Sequence, residues 1–121
     1  MIQRMTALVL GIITLGILLL SRPAYAETWT RIVTSADGMQ EQYIDIDSIQ
    51  TKNDHVRLKT YWLDVTKPED VTYAVTEYDC DRHLYRDIEL NGKPHPTDWY
   101  TLDDDPLNQA VMKYSCSGQY K

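Results

Sequence analysis

Phenylalanine is absent from this chain, cysteine occurs only twice, and cations are outnumbered, with twelve Lys and Arg against eighteen Asp and Glu for a net charge of −6. Each shortage excludes something. An acidic balance speaks against nucleic acid as a partner and against an electrostatic grip on anionic membranes, since both are held by clustered positive charge. Two cysteines cannot build a thiolate metal site alone, and Cys116 has no histidine nearby to complete one. No repeat, low-complexity tract, phosphate-binding loop or dinucleotide fingerprint is present. The aromatic content is carried by nine Tyr and three Trp, residues that pack a ring while keeping a polar end wet. That suits a thin domain with one solvated face.

The N-terminus reads as an address. Arg4 precedes the apolar run "MTALVLGIITLGILLL" (residues 5–20), and "SRPAYA" follows, with Ala24-Tyr25-Ala26 in the small-x-small pattern of a secretory cleavage site. Pro23 breaks the helix ahead of the cut. The run would reach about 24 Å as a helix, short of the roughly 30 Å hydrocarbon core. Residues 1–26 are therefore expected to be a signal peptide, and 27–121 one exported domain. Membrane contact is expected only if the segment is kept, and with no cysteine at the cut no lipid anchor is expected there. Cleavage removes two cations, Arg4 and Arg22, and takes the net charge from −6 to −8.

Export decides how Cys80, in "EYDCDRHLYR", is read. A lone cysteine could be a nucleophile, a metal ligand or half of a covalent staple. In an oxidising compartment two cysteines read as one disulfide, Cys80–Cys116. Closing that separation stabilises by about 4 kcal/mol in the loop-entropy treatment.

Between and around the cysteines the pattern is mostly period two. "TWTRIVT" (28–34) and "EQYIDI" (41–46) flank Asp37-Gly38, a hairpin signal, with Ile44 and Ile46 on one face and Tyr43 and Asp45 on the other. In "HVRLKTYWLDV" (55–65), Val56, Leu58, Thr60 and Trp62 alternate with His55, Arg57, Lys59 and Tyr61. "VTYAVTEYDC" (71–80) and "HLYRDIEL" (83–90) complete five antiparallel strands, the last with Leu84, Ile88 and Leu90 on one face and ending at Asn91-Gly92. The tail changes period. Asp105 is placed as N-cap and Pro106 at the first helical position, and Leu107, Ala110, Val111 and Tyr114 form an i, i+3, i+4, i+7 stripe. A helix of about ten residues should end near Ser115, so that Cys116 can reach the sheet. The expected fold is α+β, a single antiparallel meander of five to six strands with one C-terminal helix packed on it.

Trp29 opening the first strand, "YIDIDSI" (43–49), Trp62, "EYDC" (77–80) with Arg82 and Tyr85, and a late helix carrying Cys116 together resemble the surface-adhesin protein E family across nearly the whole mature chain. The resemblance implies an antiparallel sheet disulfide-bonded to a C-terminal helix, and a protein-binding module of the bacterial envelope. A periplasmic or lumenal accessory factor for assembly of a membrane complex is the alternative.

Catalysis is not expected. Serines sit in no nucleophile elbow, His55, His83 and His95 are scattered, and His55 reads as a solvated side chain on the polar face of its strand. Asp103-Asp104-Asp105 lacks the spacing of a calcium loop and reads as helix capping. Asp45 and Asp47 read as the wet side of the sheet or the cap of the turn after it. No catalytic, cofactor or metal residues are assigned. The candidate partner site is the connection "NGKPHPTDWYTLDDD" (91–105), expected as a long loop, with Lys93, Trp99 and Tyr100 as contact residues for a protein partner. Trp99 is expected to fold over the sheet edge onto the core, leaving Tyr100 pointing the other way.

Overall fold

The computed structural model describes residues 27–118, so the leader assigned to residues 1–26 lies outside the described residues. Eight strands form one antiparallel sheet: β1 (Trp29–Thr34), β2 (Gln40–Asp45), β3 (Gln50–Lys52), β4 (His55–Asp64), β5 (Thr72–Asp79), β6 (Leu84–Leu90), β7 (Lys93–Pro94) and β8 (Tyr100–Thr101). The order across the sheet is β1-β2-β4-β5-β6-β7, with β3 on β4 and β8 on β6. This is the expected meander. The three strands beyond the expected five are two or three residues long, too short to carry a periodic signal.

The turns follow from their residues. At Asp37-Gly38, Gly38 takes φ +74°, and the Asp37 carboxylate accepts a bond from the Met39 N–H at 2.9 Å. Asn91 and Gly92 both have positive φ, at 49° and 81°, as a tight hairpin turn requires. That turn corrects the reading of residues 91–105 as a long loop. The chain doubles back along β6, pairing as β7 at Glu89–Leu90 and as β8 at Leu84–Tyr85. Pro94 and Pro96 are tolerated because this is an edge, where a missing N–H costs no ladder bond.

The covered face of the sheet carries the core. Ile44, Val56, Leu58 and Tyr78 are buried there with Leu102 and with Val111 of the helix α1 (Pro106–Ser117). Burying each such side chain contributes about 1.5–3 kcal/mol. Asp105 caps the helix, its carboxylate accepting the Asn108 N–H at 3.1 Å, and Gly118 closes it in the left-handed conformation. Of the expected stripe, Val111 is buried and Tyr114 packs against the core. Ser115 is buried as well, Asn108 is bonded to the Tyr78 hydroxyl at 2.6 Å, and Met112 and Cys116 also pack against the core. This wider contact face brings Cys116 toward the sheet while still helical, so the stopping point shifts past Ser115 to Ser117. Cys80 and Cys116 are bonded, with Cα atoms 5.9 Å apart.

One face assignment is corrected by an irregularity that no alternation pattern reveals, whereas Ile46 packs on the core with Ile44 as expected. A bulge between Val75 and Thr76 shifts the β5–β6 register, so that Tyr85 and Asp87 lie opposite Tyr78 and Thr76 on the covered face. Leu84 and Arg86 therefore fall on the open face, away from Leu90. Ile46 leaves the strand in a 3-10 turn (Ile46–Ser48). Asp45, buried, caps that turn, accepting the N–H groups of Thr28 and Asp47 at 3.1 Å each.

Candidate functional site

The helix covers one face of the sheet; the other carries the unusual chemistry. Period-two alternation places His55, Arg57, Lys59 and Tyr61 of β4 there, with Tyr73, Val75, Glu77 and Asp79 opposite them on β5. Two clusters divide this open face.

The first is aromatic. Trp29 starts β1, yet its indole reaches Tyr61 two strands away, edge-on with ring centres 4.7 Å apart. Tyr61 stacks on Tyr43 at 4.6 Å, and Tyr73 completes the group 5.5 Å from Tyr61 and 6.0 Å from Trp29. Each well-oriented pair contributes about 0.5–1.5 kcal/mol beyond its buried area. Tyr73 nevertheless stays 49 % exposed. Arg31 and Glu41 close the outer margin with a 3.0 Å ion pair. Burial raises the Tyr61 and Tyr43 phenols above their ordinary value, so both hydroxyls remain protonated at neutral pH.

The second cluster centres on Glu77, whose direct cross-strand neighbours are Arg57 on one side and Arg86 on the other. Arg57 donates Nε and Nη2 to one carboxylate oxygen at 3.3 and 3.0 Å; Arg86 donates Nε to the other at 3.0 Å, with its Nη2 in ion-pair contact at 2.9 Å. Burial alone would raise the Glu77 carboxyl, but the bonds from both guanidiniums, with their charges, outweigh it and hold the group below its ordinary value. The side chain of Glu77 is 9 % exposed, those of Arg57 and Arg86 49 % and 32 %. The Arg86 guanidinium also lies 4.2 Å from the centre of the Trp99 ring, a cation–π contact. Trp99 meets His55 edge-on at 4.9 Å, and His55 Nε2 is 3.5 Å from Asp79, which Arg82 holds at 2.6 Å. The Asp79 carboxyl is lowered first by the Arg82 N–H and then, against burial, by the Arg82 side chain.

Both expectations for His55 and Trp99 change accordingly. His55 is packed against an indole rather than simply solvated, and Trp99 lies on the open face rather than over the core. The reason is register. Tyr100 pairs with Tyr85 and shares its side of the sheet, ring centres 6.2 Å apart, so the preceding residue faces the other way. Tyr100 points opposite to Trp99, as expected. Lys93 and Tyr100 are exposed on the β7–β8 edge, so the three candidate residues do not converge on one surface. Sequence reasoning missed Trp29, Tyr61, Tyr73 and Glu77 as a group, because only strand pairing brings them together. Their common polar-face parity was the available signal.

Polar groups also gather under the helix N-terminus, where a cavity of about 260 Å³ is lined by Gln42, Tyr85, Asp87, Asp105 and Asn108 among others. Burial raises the Asp87 carboxyl against the opposing effect of its 2.6 Å bond from the Thr76 hydroxyl. Tyr85 is pushed up to about 12, by burial first and then by Asp105. Each of these groups has a partner at the helix–sheet seam: Asn108 donates to Asp105 at 2.7 Å and Gln42 to Thr60 at 3.2 Å. Among the described residues no three of His, Cys, Asp and Glu are grouped to hold a metal ion, and no helix is long and apolar enough to cross a membrane.

The model of the surface adhesin-E family matches residues 30–121, a span containing both clusters apart from Trp29. Searches of curated proteins and of solved structures return no match.

Proposed function

Because the chain belongs to the surface adhesin-E family, we propose that it is a small exported protein-binding module of the bacterial cell envelope that meets its partner with the open face of the sheet. One observation carries the choice of face: rings and guanidiniums are concentrated on the side that the helix leaves uncovered. Trp, Tyr and Arg are the residue types that dominate binding energy at protein interfaces, and here they are held in place before any partner arrives. Trp29, Tyr43, Tyr61 and Tyr73 brace one another, and Glu77 fixes Arg57 and Arg86. Preorganisation of this kind reduces the ordering cost of association. The clusters offer no nucleophile–base pair, which supports a binding role over a catalytic one. Residues 1–26 would direct export, and the acidic surface would keep the domain soluble once outside.

Photo-crosslinking in the living cell tests this. A benzophenone amino acid at position 73 should give a discrete adduct with one protein, whereas the same group at exposed Lys113 on the helix should not. Adducts at 113 and none at 73 would move the interface to the helix side. Digestion of intact cells with an external protease separates the two settings, because a surface adhesin is cut and an accessory factor inside the envelope is protected.

A further inference from the structure

The cavity of about 260 Å³ at the helix–sheet seam holds acceptors that have nothing to accept. Gln42, only 3 % exposed, is the clearest. The Thr60 hydroxyl donates to the Tyr43 carbonyl at 2.7 Å, so it can only accept from Gln42 Nε2 at 3.2 Å. That fixes the amide and leaves Gln42 Oε1 without a donor among the described residues. No fully buried polar side-chain atom among them lacks a partner, so this oxygen faces open space, and the space that Gln42 lines is this cavity. Asp87 lines it too, with Oδ1 taking the Thr76 hydroxyl at 2.6 Å and Oδ2 taking no bond among the described residues. The donors around them are committed, Tyr78 to Asn108, and Asn108 and Tyr85 to Asp105.

The cavity is also short of cations. Asp87 and Asp105 are the charged groups that line it. After burial, these two carboxylates are what raise the Tyr78 and Tyr85 phenols. Among the described residues no lysine or arginine shifts either phenol or Asp87, and only His95 opposes, at Asp87. The positive end of the helix is met by the Asp105 cap. An α-ammonium at Glu27 would lie on the other face, beside Trp29 and Tyr73.

Independently of the open face, we propose that this cavity binds a primary alkylammonium ion, from a free amine or from a lysine side chain. The ammonium carries N–H donors for Gln42 Oε1, Asp87 Oδ2 and Asp105, and a positive charge to set against the two carboxylates. Trp62 and Leu107 offer its stem apolar surface. A calcium ion fits less well, because it takes about six to eight oxygens, and the Asp105 oxygens already hold Asn108 at the helix start.

The test titrates n-butylammonium into the 15N-labelled protein and reads the three indole N–H signals, assigned with Trp29→Phe and Trp99→Phe. The Trp62 signal should shift saturably in the millimolar range while those of Trp29 and Trp99 stay put. N,N,N-trimethylbutylammonium keeps the charge and loses every N–H, and should bind about tenfold more weakly or worse. Asp87→Asn keeps an acceptor for Thr76, so it should weaken butylammonium by about tenfold without lowering the melting temperature. Glu69→Gln, on the exposed turn between β4 and β5, should change nothing. Nα-acetyl-lysine amide separates the two sources: affinity like that of butylammonium assigns the site to a lysine side chain, and much weaker binding assigns it to a free amine. No saturable shift at Trp62, equal binding of the trimethylated ion, tighter binding of calcium than of butylammonium, or unchanged affinity in Asp87→Asn would each overturn the proposal.

Discussion

The two faces of this sheet solve different problems with neighbouring residues. On the covered face Val56, Leu58 and Tyr78 bury apolar surface under a helix that the Cys80–Cys116 bond ties down. On the open face the intervening residues are held by polar and aromatic contacts instead, Tyr61 stacking on Tyr43 and Arg57, still half exposed, pairing with Glu77. The contrast reaches titration. Asp87 and Glu77 sit on adjacent strands but on opposite faces; burial raises the first carboxyl, while two arginines outweigh burial and lower the second. The apolar core is concentrated on one side and the aromatic and ion-pair chemistry on the other, so each can be perturbed with limited effect on its counterpart.

The largest expected effect removes the staple. Cys80→Ala should cost about 2–5 kcal/mol, and at about 4–8 °C per kcal/mol for a domain of this size the fall in melting temperature should be plain. Reductant should reproduce it in the parent protein and do nothing further to the variant. A loss under 1 kcal/mol would mean that the covered face holds the helix without its covalent tie.

Glu77→Gln comes next, at about 1–3 kcal/mol at neutral pH, because charge-assisted bonds to two guanidiniums are weakened together. The pH dependence carries a sign. A lowered carboxyl contributes stability that is complete above its ordinary value of 4.5 and is lost as pH falls through the depressed value. Denaturant melts should therefore show less loss on acidification in Glu77→Gln than in the parent. Asp87 runs the other way: its contribution is present below 3.8 and lost as pH rises through the raised value. Asp87→Asn should accordingly steepen the acid loss. Matching pH profiles for the two variants would break the contrast between faces.

Smaller still is Tyr73→Ala, at about 1 kcal/mol or less, since the ring is half exposed and gives up only its aromatic neighbours. Partner crosslinking from a benzophenone at position 61 should nonetheless weaken in that variant. The smallest effect is expected for Lys93→Ala with Tyr100→Ala on the exposed edge, within about 0.5 kcal/mol of the parent by thermal melting. Loss of crosslinking from position 73 in this double variant would extend the binding surface around the sheet edge.

Much of the fold was legible because its signals are local. Alternation in residues 55–65 predicts both faces of β4, Asp105-Pro106 predicts the helix start, and two cysteines behind an expected export signal predict their bond. The errors arose where a single residue breaks the period. The bulge beside Val75 turns Arg86 and Asp87 onto the faces opposite to those expected, and the positive-φ pair Asn91-Gly92 converts an expected loop into a returning edge. The candidate site was less legible. Of Lys93, Trp99 and Tyr100, the structure brings Trp99 to the open face and leaves the other two on the edge.

The sequence by itself determined the class of the molecule: a sheet with one wet face, a capped C-terminal helix, a single disulfide and an acidic surface. Those properties depend on residue type and short spacing, which the chain carries wherever it folds. Only the tertiary structure decided which side chains meet. Trp29 and Tyr73 lie forty-four positions apart in the sequence and Arg57 and Glu77 twenty, and their juxtaposition depends on the order and register of four strands. Register is a property of pairs of strands, set by bulges and turns as much as by composition.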